Sequence, residues 1–271
     1  MTTQFNINGK LVRSRSPLLM AIVNATDDSF YGPSRCTDSS QILFRAEKAL
    51  AEGADILDIG GCSTRPASTP VDFESEWQRV DMAIGAIRSR FADTLLSLDT
   101  FRSEVASRAI SKYGGMIIND TSGCSDSRMA EVVAAAGVPY VLTFSSQTSA
   151  TSTLAAEAIY FFAKAIDMLQ TAGVKDIIID PGFGFGKDVR QNWLLLRQMQ
   201  RLRVLGKPVL AGVSRKRMIR QVLQCTEEDA LNGTTAANMA ALIHGADILR
   251  VHDVKQATQT ILLFNQMTET Y

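Results

Sequence analysis

The feature that most limits how this chain can fold is a unit repeated along its length. A short apolar run, rich in β-branched residues, stops at a polar residue or a glycine and is followed by a stretch with helical spacing. The apolar runs are 18–23, 56–59, 95–98, 116–118, 140–142, 177–179, 209–213 and 248–249. Helical patterns follow over 41–52, 73–90, 103–112, 128–136, 154–171, 192–202, 227–244 and 256–267. Strands alternating with helices make parallel βα units. Eight such units in about 250 residues predict a (β/α)8 barrel of the α/β class, the TIM-barrel architecture. A doubly wound open sheet is the alternative, and it usually has fewer repeats in this length. Residues 4–13 alternate around Asn8 and Gly9, which predicts a short N-terminal β-hairpin. No linker or shift in composition interrupts the pattern, so 1–271 reads as a single domain.

Composition narrows the partners. Hydrophobic residues make up 46% and charged residues 21%, which excludes a disordered chain. Lys+Arg and Asp+Glu balance at 28 each, so no global field draws nucleic acid or an anionic membrane. Any anion site must be local. No apolar run approaches a membrane span, and the first residues lack the basic and apolar regions of a secretory signal, so a cytoplasmic protein is expected. Cysteines at 36, 62, 124 and 225 form no C-x-x-C pair. With His244 and His252 as the histidines, their spacing does not suit zinc, and free thiols are expected.

In such a barrel the chemistry sits at the C-terminal ends of the strands. Those ends are Asn24, Gly60, Asp99, Asn119, Thr143, Asp180, Ser214 to Lys216, and Arg250 with His252. A single Asp after a strand is commonly a turn or helix cap. Acids, amides and cations gathered at one end are harder to assign to capping. Two glycine patterns are excluded as nucleotide sites. Residues 182–186 (GFGFG) lack the G-x-G-x-x-G spacing, and Lys187 is followed by Asp188 rather than Ser or Thr. Asp99, Asp180 and Asn119 suit the donor edge of a guanidine-like heterocycle, since a carboxylate accepts two parallel N–H bonds. Arg65, Arg250 and His252, with Asn24, suit an anion such as phosphate or diphosphate. Lys216 can serve either group. The residues alone therefore describe a site for a polar heterocycle carrying an anionic leaving group.

Seven segments at these strand ends resemble the dihydropteroate synthase family, in order and over nearly the whole chain: 22–30 (IVNATDDSF), 58–66 (DIGGCSTRP), 97–100 (SLDT), 117–120 (IIND), 180–187 (DPGFGFGK), 212–216 (GVSRK) and 249–253 (LRVHD). The resemblance implies that 4-aminobenzoate displaces diphosphate from 6-hydroxymethyl-7,8-dihydropterin diphosphate, assisted by Mg2+, to give 7,8-dihydropteroate. By similarity Asp99, Asn119, Asp180 and Lys216 hold the pterin. Asn24, Arg65, Arg250 and His252 hold the diphosphate and the metal, with Asn24 the metal ligand. Thr64, Pro66, Phe185 and Ser214 shape the aminobenzoate pocket. The loops after the first two strands close over the site. A homodimer is expected, with Leu242, Ile261 and Leu262 of the last helices as candidates for its face.

The chain departs from the family pattern at four places. Asp27 stands for the usual Pro and Cys62 for the usual Glu. Residues 143–147 (TFSSQ) replace a Met-His-Met type of stretch, and Arg217 follows Lys216 where a small Ser is common. The pterin anchors are kept. Two other readings stay open. A methyltetrahydrofolate-type pterin methyltransferase would keep the anchors without the anion group, which Arg65, Arg250 and His252 argue against. A non-catalytic pterin-binding paralogue would keep the anchors without turnover.

Overall fold

The computed structural model describes residues 3–7, 9–25, 38–62, 71–146 and 154–268. The hairpin is β1 (Thr3–Ile7) paired antiparallel with β2 (Lys10–Ser14). The βα units follow in order: β3 (Leu18–Asn24), α1 (Ser39–Ala51), β4 (Ile56–Gly60), α2 (Phe73–Arg90), β5 (Leu95–Asp99), α3 (Ser103–Tyr113), β6 (Ile117–Asp120) and α4 (Met129–Ala136). Then come β7 (Tyr140–Thr143), α5 (Leu154–Thr171), β8 (Ile177–Asp180), α6 (Val189–Gln198), β9 (Leu210–Ala211), α7 (Arg217–Leu223), α8 (Leu231–Ile243), β10 (Ile248–Val251) and α9 (Val254–Thr268).

Eight parallel strands lie side by side in the order β8-β7-β6-β5-β4-β3-β10-β9. A bridge between Ile179 and Val209, with the Ile179 N–H donated to the Pro208 carbonyl at 2.9 Å, joins β8 to β9. The predicted barrel and hairpin are both present. Side chains alternate between the two faces of each strand. Leu19, Leu57, Leu96 and Ile118 face outward and pack with the helices into the larger core. Met20, Ile56, Ile117, Val141, Ile178 and Ile248 face the barrel axis. Phe5 and Ile7 of the hairpin join this inner cluster, and the Asn6 N–H is donated to Asp176 Oδ2 at 3.1 Å.

Three expectations need correction. Helix α7 follows Lys216 directly and was not foreseen; at seven residues, with no side-chain cap, it carries little sequence signal. Strand β9 stops at Ala211 rather than 213, because the chain turns at once, with Arg215 at φ 54 and the Lys216 N–H donated to the Val213 carbonyl. Helix α6 starts at Val189 rather than 192, set by a capping box in which Asp188 and Gln191 satisfy each other's backbone N–H groups. Of the residues offered for a dimer face, Leu242 and Ile261 are core. Leu262 is exposed, together with Leu263 and Met267 on the same helix. Helical phase separates these neighbours.

The turn after β8 is bound closely to β7. Gly182 has φ +66, and a Cβ there would fall 2.0 Å from the Phe144 carbonyl oxygen. Gly137, which ends α4, has φ +61 but nothing near its missing Cβ. Gly137→Ala should therefore cost only the left-handed backbone penalty, about 1 kcal/mol. Gly182→Ala should cost at least twice that, since backbone must also move. Urea unfolding midpoints of the two variants would show it, and equal losses would mean the approach of the two strands relaxes freely.

Candidate functional site

Strand register decides which polar ends meet. Asp99 pairs with Asn119 across β5 and β6, and Thr143 with Asp180 across β7 and β8. Asp99 also pairs with Gly60, and Asn24 with Gly60, across β5, β4 and β3. Each lies an even number of residues from an inner-cluster position on its own strand, so all face the axis. A Cβ on Gly60 would sit 3.6 Å from Asn24 Oδ1 and 3.7 Å from Asp99 Cβ. The glycine is what lets those two side chains flank the same point.

Arg250 reaches across this mouth. Its Nε donates to Asp58 Oδ2 at 2.6 Å and its Nη2 to Asp99 Oδ2. Asp58 Oδ2 also accepts from Asn119 Nδ2 at 3.2 Å. Arg250 therefore sits within the carboxylate set rather than apart from it. Asp58 had no role from the sequence. The available signal was a charge embedded in an apolar run, between Leu57 and Ile59. One guanidinium serves two buried carboxylates, so negative charge is in excess. Burial raises the Asp99 carboxyl to about 7; Arg250 opposes the shift and Asp58 adds to it. Burial and Arg250's two partners act in opposite directions on the guanidinium, and the partners prevail.

Asp180 and Lys216 form the second pole. Asp180 Oδ1 accepts the Gly182 N–H at 2.7 Å. Burial raises its carboxyl, against the pull of Lys216 and the Gly182 N–H. The Lys216 ammonium donates to the Phe183 carbonyl and stands 5.1 Å from the centre of the Phe185 ring. Burial lowers it to about 8, with Asp180 opposing. Phe185 is itself held by Lys187, which the sequence reading set aside. Buried Lys187 donates to the carbonyls of Phe144 (3.0 Å), Gly182 (2.7 Å) and Phe185 (2.9 Å), pinning the glycine turn to the end of β7. Its partners, 43, 5 and 2 residues away, are backbone carbonyls and leave no motif in a sequence.

His252 Nδ1 lies 3.1 Å from Ser214 Oγ. Burial, and then the cations Arg250, Arg45, Arg215 and Lys216, depress the imidazole to about 3. The ring is neutral at pH 7, and the positive surroundings favour an anion beside it. Arg215 anchors this corner through a two-bond fork to Asp253, both bonds 2.8 Å. Arg217 is exposed at the start of α7. Thr64, Arg65 and Pro66, and with them Asp27, lie outside the described residues. Cys62, Cys124 and Cys225 are free thiols, and Cys36 lies outside the described residues.

The mouth thus presents buried carboxylates and, beside them, a cationic corner. Comparison with known proteins identifies the family. The family model "Pterin binding enzyme" matches residues 20–252. A dihydropteroate synthase of Streptococcus pyogenes serotype M3 is 37% identical over 264 residues, 96% of this chain and 98% of that protein. The structure of the Xanthomonas albilineans dihydropteroate synthase with 4-aminobenzoic acid superposes with a TM-score of 0.91 at 35% identity, covering 100% of both chains. That of a Coxiella burnetii dihydropteroate synthase with pteroic acid gives 0.90 at 34% identity, covering 98% of each. By sequence over 96% of its length and by fold, the chain belongs to the pterin-binding enzymes, among the dihydropteroate synthases.

Proposed function

We propose that the chain joins 4-aminobenzoate to 6-hydroxymethyl-7,8-dihydropterin diphosphate, releasing diphosphate and 7,8-dihydropteroate. The observation that carries this is the inward-facing set Asp99, Asn119 and Asp180 on three strand ends, with Arg250 and Lys216 over it. Relatives bind pteroic acid and 4-aminobenzoic acid, the product-like molecule and one of its two halves.

In this reading the amine nitrogen forms a bond to the exocyclic carbon of the pterin as the bond from that carbon to the diphosphate oxygen breaks. The amine proton passes to solvent or to the departing diphosphate. Positive charge spreads into the pterin ring as the anion leaves. Asp99 and Asp180 accept the ring's N–H groups and stabilise that charge. Arg250, bound to Asp58 and Asp99, keeps the carboxylates from repelling one another. Lys216 over the Phe185 ring separates the pterin from the aminobenzoate side, where Phe185 and Ser214 lie, with Thr64 and Pro66 assigned there by similarity. Neutral His252, in its cationic corner, suits the diphosphate, with Arg65 assigned there by similarity. An arylamine is nucleophilic without a strong base.

A magnesium ion fits the same corner. Mg2+ takes oxygen ligands, keeps several waters and binds largely through substrate phosphates, so one protein oxygen suffices. Asn24 Oδ1, beside Gly60 and Asp99, is an oxygen of the right kind. When bound, the ion would neutralise charge on the leaving diphosphate. We place the protein in the cytoplasm, which its free thiols fit. No helix of the described residues is long and apolar enough to cross a membrane. A homodimer is part of the proposal; exposed Leu262, Leu263 and Met267 on α9 favour it.

Three outcomes follow from this reading. Purified protein given the pterin diphosphate and Mg2+ should release diphosphate only with 4-aminobenzoate present, and dihydropteroate should form. Tight pterin binding with no product would instead establish a binding paralogue. Pterin diphosphate affinity should fall as pH rises through about 8, where Lys216 loses its proton. Lys216→Met should bind weakly with no such limb, and a wild-type titration flat from about pH 7 to about pH 9.5 would overturn the assignment. Light scattering should return twice the 29.5 kDa chain mass, and Leu263→Glu should shift it toward one chain; a wild-type monomer would end the dimer proposal.

A further inference from the structure

Five side-chain atoms at the barrel mouth are fully buried and have no hydrogen-bond partner: Asp58 Oδ1, Ser97 Oγ, Asp99 Oδ1, Asn119 Oδ1 and Thr143 Oγ1. They come from four neighbouring strands, β4 to β7. The register places them on one face. Asp58 pairs with Ser97, Asp99 with Asn119, and Asn119 with Val141, which lies two residues before Thr143 and belongs to the inner cluster. Thr143 in turn pairs with Asp180. Folded proteins rarely leave such groups unpaired, because each costs stability, and a run of them on one face points to a partner from outside the chain.

Thr143 differs in chemistry from the acids and the amide, and differs in position from the other hydroxyl, Ser97, which lies two residues inside the end of its strand. A carboxylate oxygen, as on Asp58 or Asp99, accepts hydrogen bonds. Asn119 spends its amide N–H on Asp58, which leaves its oxygen as the unpaired atom. The Thr143 hydroxyl can donate as well as accept. Its methyl branch faces Gly182, where a Cβ would lie 3.0 Å from Cγ2. Packing therefore accounts for the methyl and leaves the hydroxyl to be explained. Valine has the same shape and would pack there without an unpaired polar atom.

We propose that Thr143 is a specificity-determining residue, donating a hydrogen bond from Oγ1 to an acceptor atom, a ring nitrogen or carbonyl oxygen, on the edge of the pterin held by Asp99, Asn119 and Asp180. The proposal rests on the pterin reading of this mouth. A fused pyrimidinone edge alternates donors with acceptors. Carboxylates match its donors and a hydroxyl matches an acceptor among them, so Thr143 reads the alternation. A heterocycle that presents carbon at that position would lose the bond.

The test is calorimetric titration of the pterin diphosphate, with and without 4-aminobenzoate turnover, into the wild type, Thr143→Val and Thr143→Ser. Thr143→Val should melt at the same temperature as the wild type or higher, since it removes an unpaired polar atom. It should bind the pterin diphosphate roughly three- to tenfold more weakly, the worth of one neutral hydrogen bond. The KM for 4-aminobenzoate should not change, and Thr143→Ser should bind like the wild type. Unchanged pterin affinity in Thr143→Val, or a lower melting temperature, would overturn the proposal and assign the hydroxyl to a buried water. Should Thr143→Val fail to fold, Thr143→Ala against Thr143→Ser decides the same question, because only the second keeps the hydroxyl. If the wild type makes no dihydropteroate, the synthase reading falls while the titration still decides on Thr143.

Discussion

Arg250 enters the mouth from β10 and holds two carboxylates on the neighbouring wall, Asp58 on β4 and Asp99 on β5. Few arrangements are as costly to leave incomplete. Taking one partner from a buried ion pair costs about 3–5 kcal/mol, because the other charge stays behind. Burial raises the Asp99 carboxyl to about 7, with Arg250 opposing the shift and the second acid, Asp58, adding to it. The site is thus poised electrostatically for positive charge. In the proposed reaction a pterin donating N–H groups, and becoming cationic as its leaving group departs, would supply it.

The opposite wall is governed by Lys187. Its ammonium is enclosed by three backbone carbonyls and lies 4.7 Å from the centre of the Phe144 ring. Burial lowers it to about 7, so the same carbonyls and Asp180 work to keep the proton on. This cluster ties the end of β7 to the glycine turn after β8, and the turn carries both Phe183 and Phe185. The Phe183 carbonyl receives Lys216, and the Phe185 ring lies under it. One buried lysine therefore positions another that touches substrate in the proposed reaction. The glycines explain how: Gly182 and Gly186 each approach a carbonyl of the opposite strand end so closely that a Cβ would fall 2.0 Å from it.

How much of this was legible follows from what a sequence encodes. The barrel was legible because eight apolar runs alternate with helical spacing, and hydrophobic period is a local signal. Asp99, Asn119, Asp180 and Arg250 were legible because each stands where such a run ends. Asp58 was not, since it lies inside its run, between Leu57 and Ile59, and its partners are 61 and 192 residues away. Lys187 was passed over because its neighbours disqualify a phosphate loop, and its real partners are carbonyls that every residue carries. Helix α7 escaped because seven residues hold too few turns to show a period. Leu242 and Ile261 proved core while Leu262 proved exposed, since phase is decided by packing rather than by composition.

The departure at Cys62 shows how such a site absorbs change. Cys62 is buried beside Glu76 and Arg102, and burial pushes its thiol up, so it is neutral. Glu76 is completely buried and already takes Arg102 and the Thr100 hydroxyl, the latter at 2.6 Å. Arg102 gives its other arm to the Val71 carbonyl at 2.6 Å. A carboxylate at position 62, the family's usual choice, would set two buried acids beside one arginine. A thiol avoids that excess and keeps the Glu76–Arg102 pair balanced. The same rule, one buried cation matched to the acids it can serve, is broken at Arg250 and kept at Arg102. At Arg250 the excess of negative charge lies in the mouth, where a ligand can answer it.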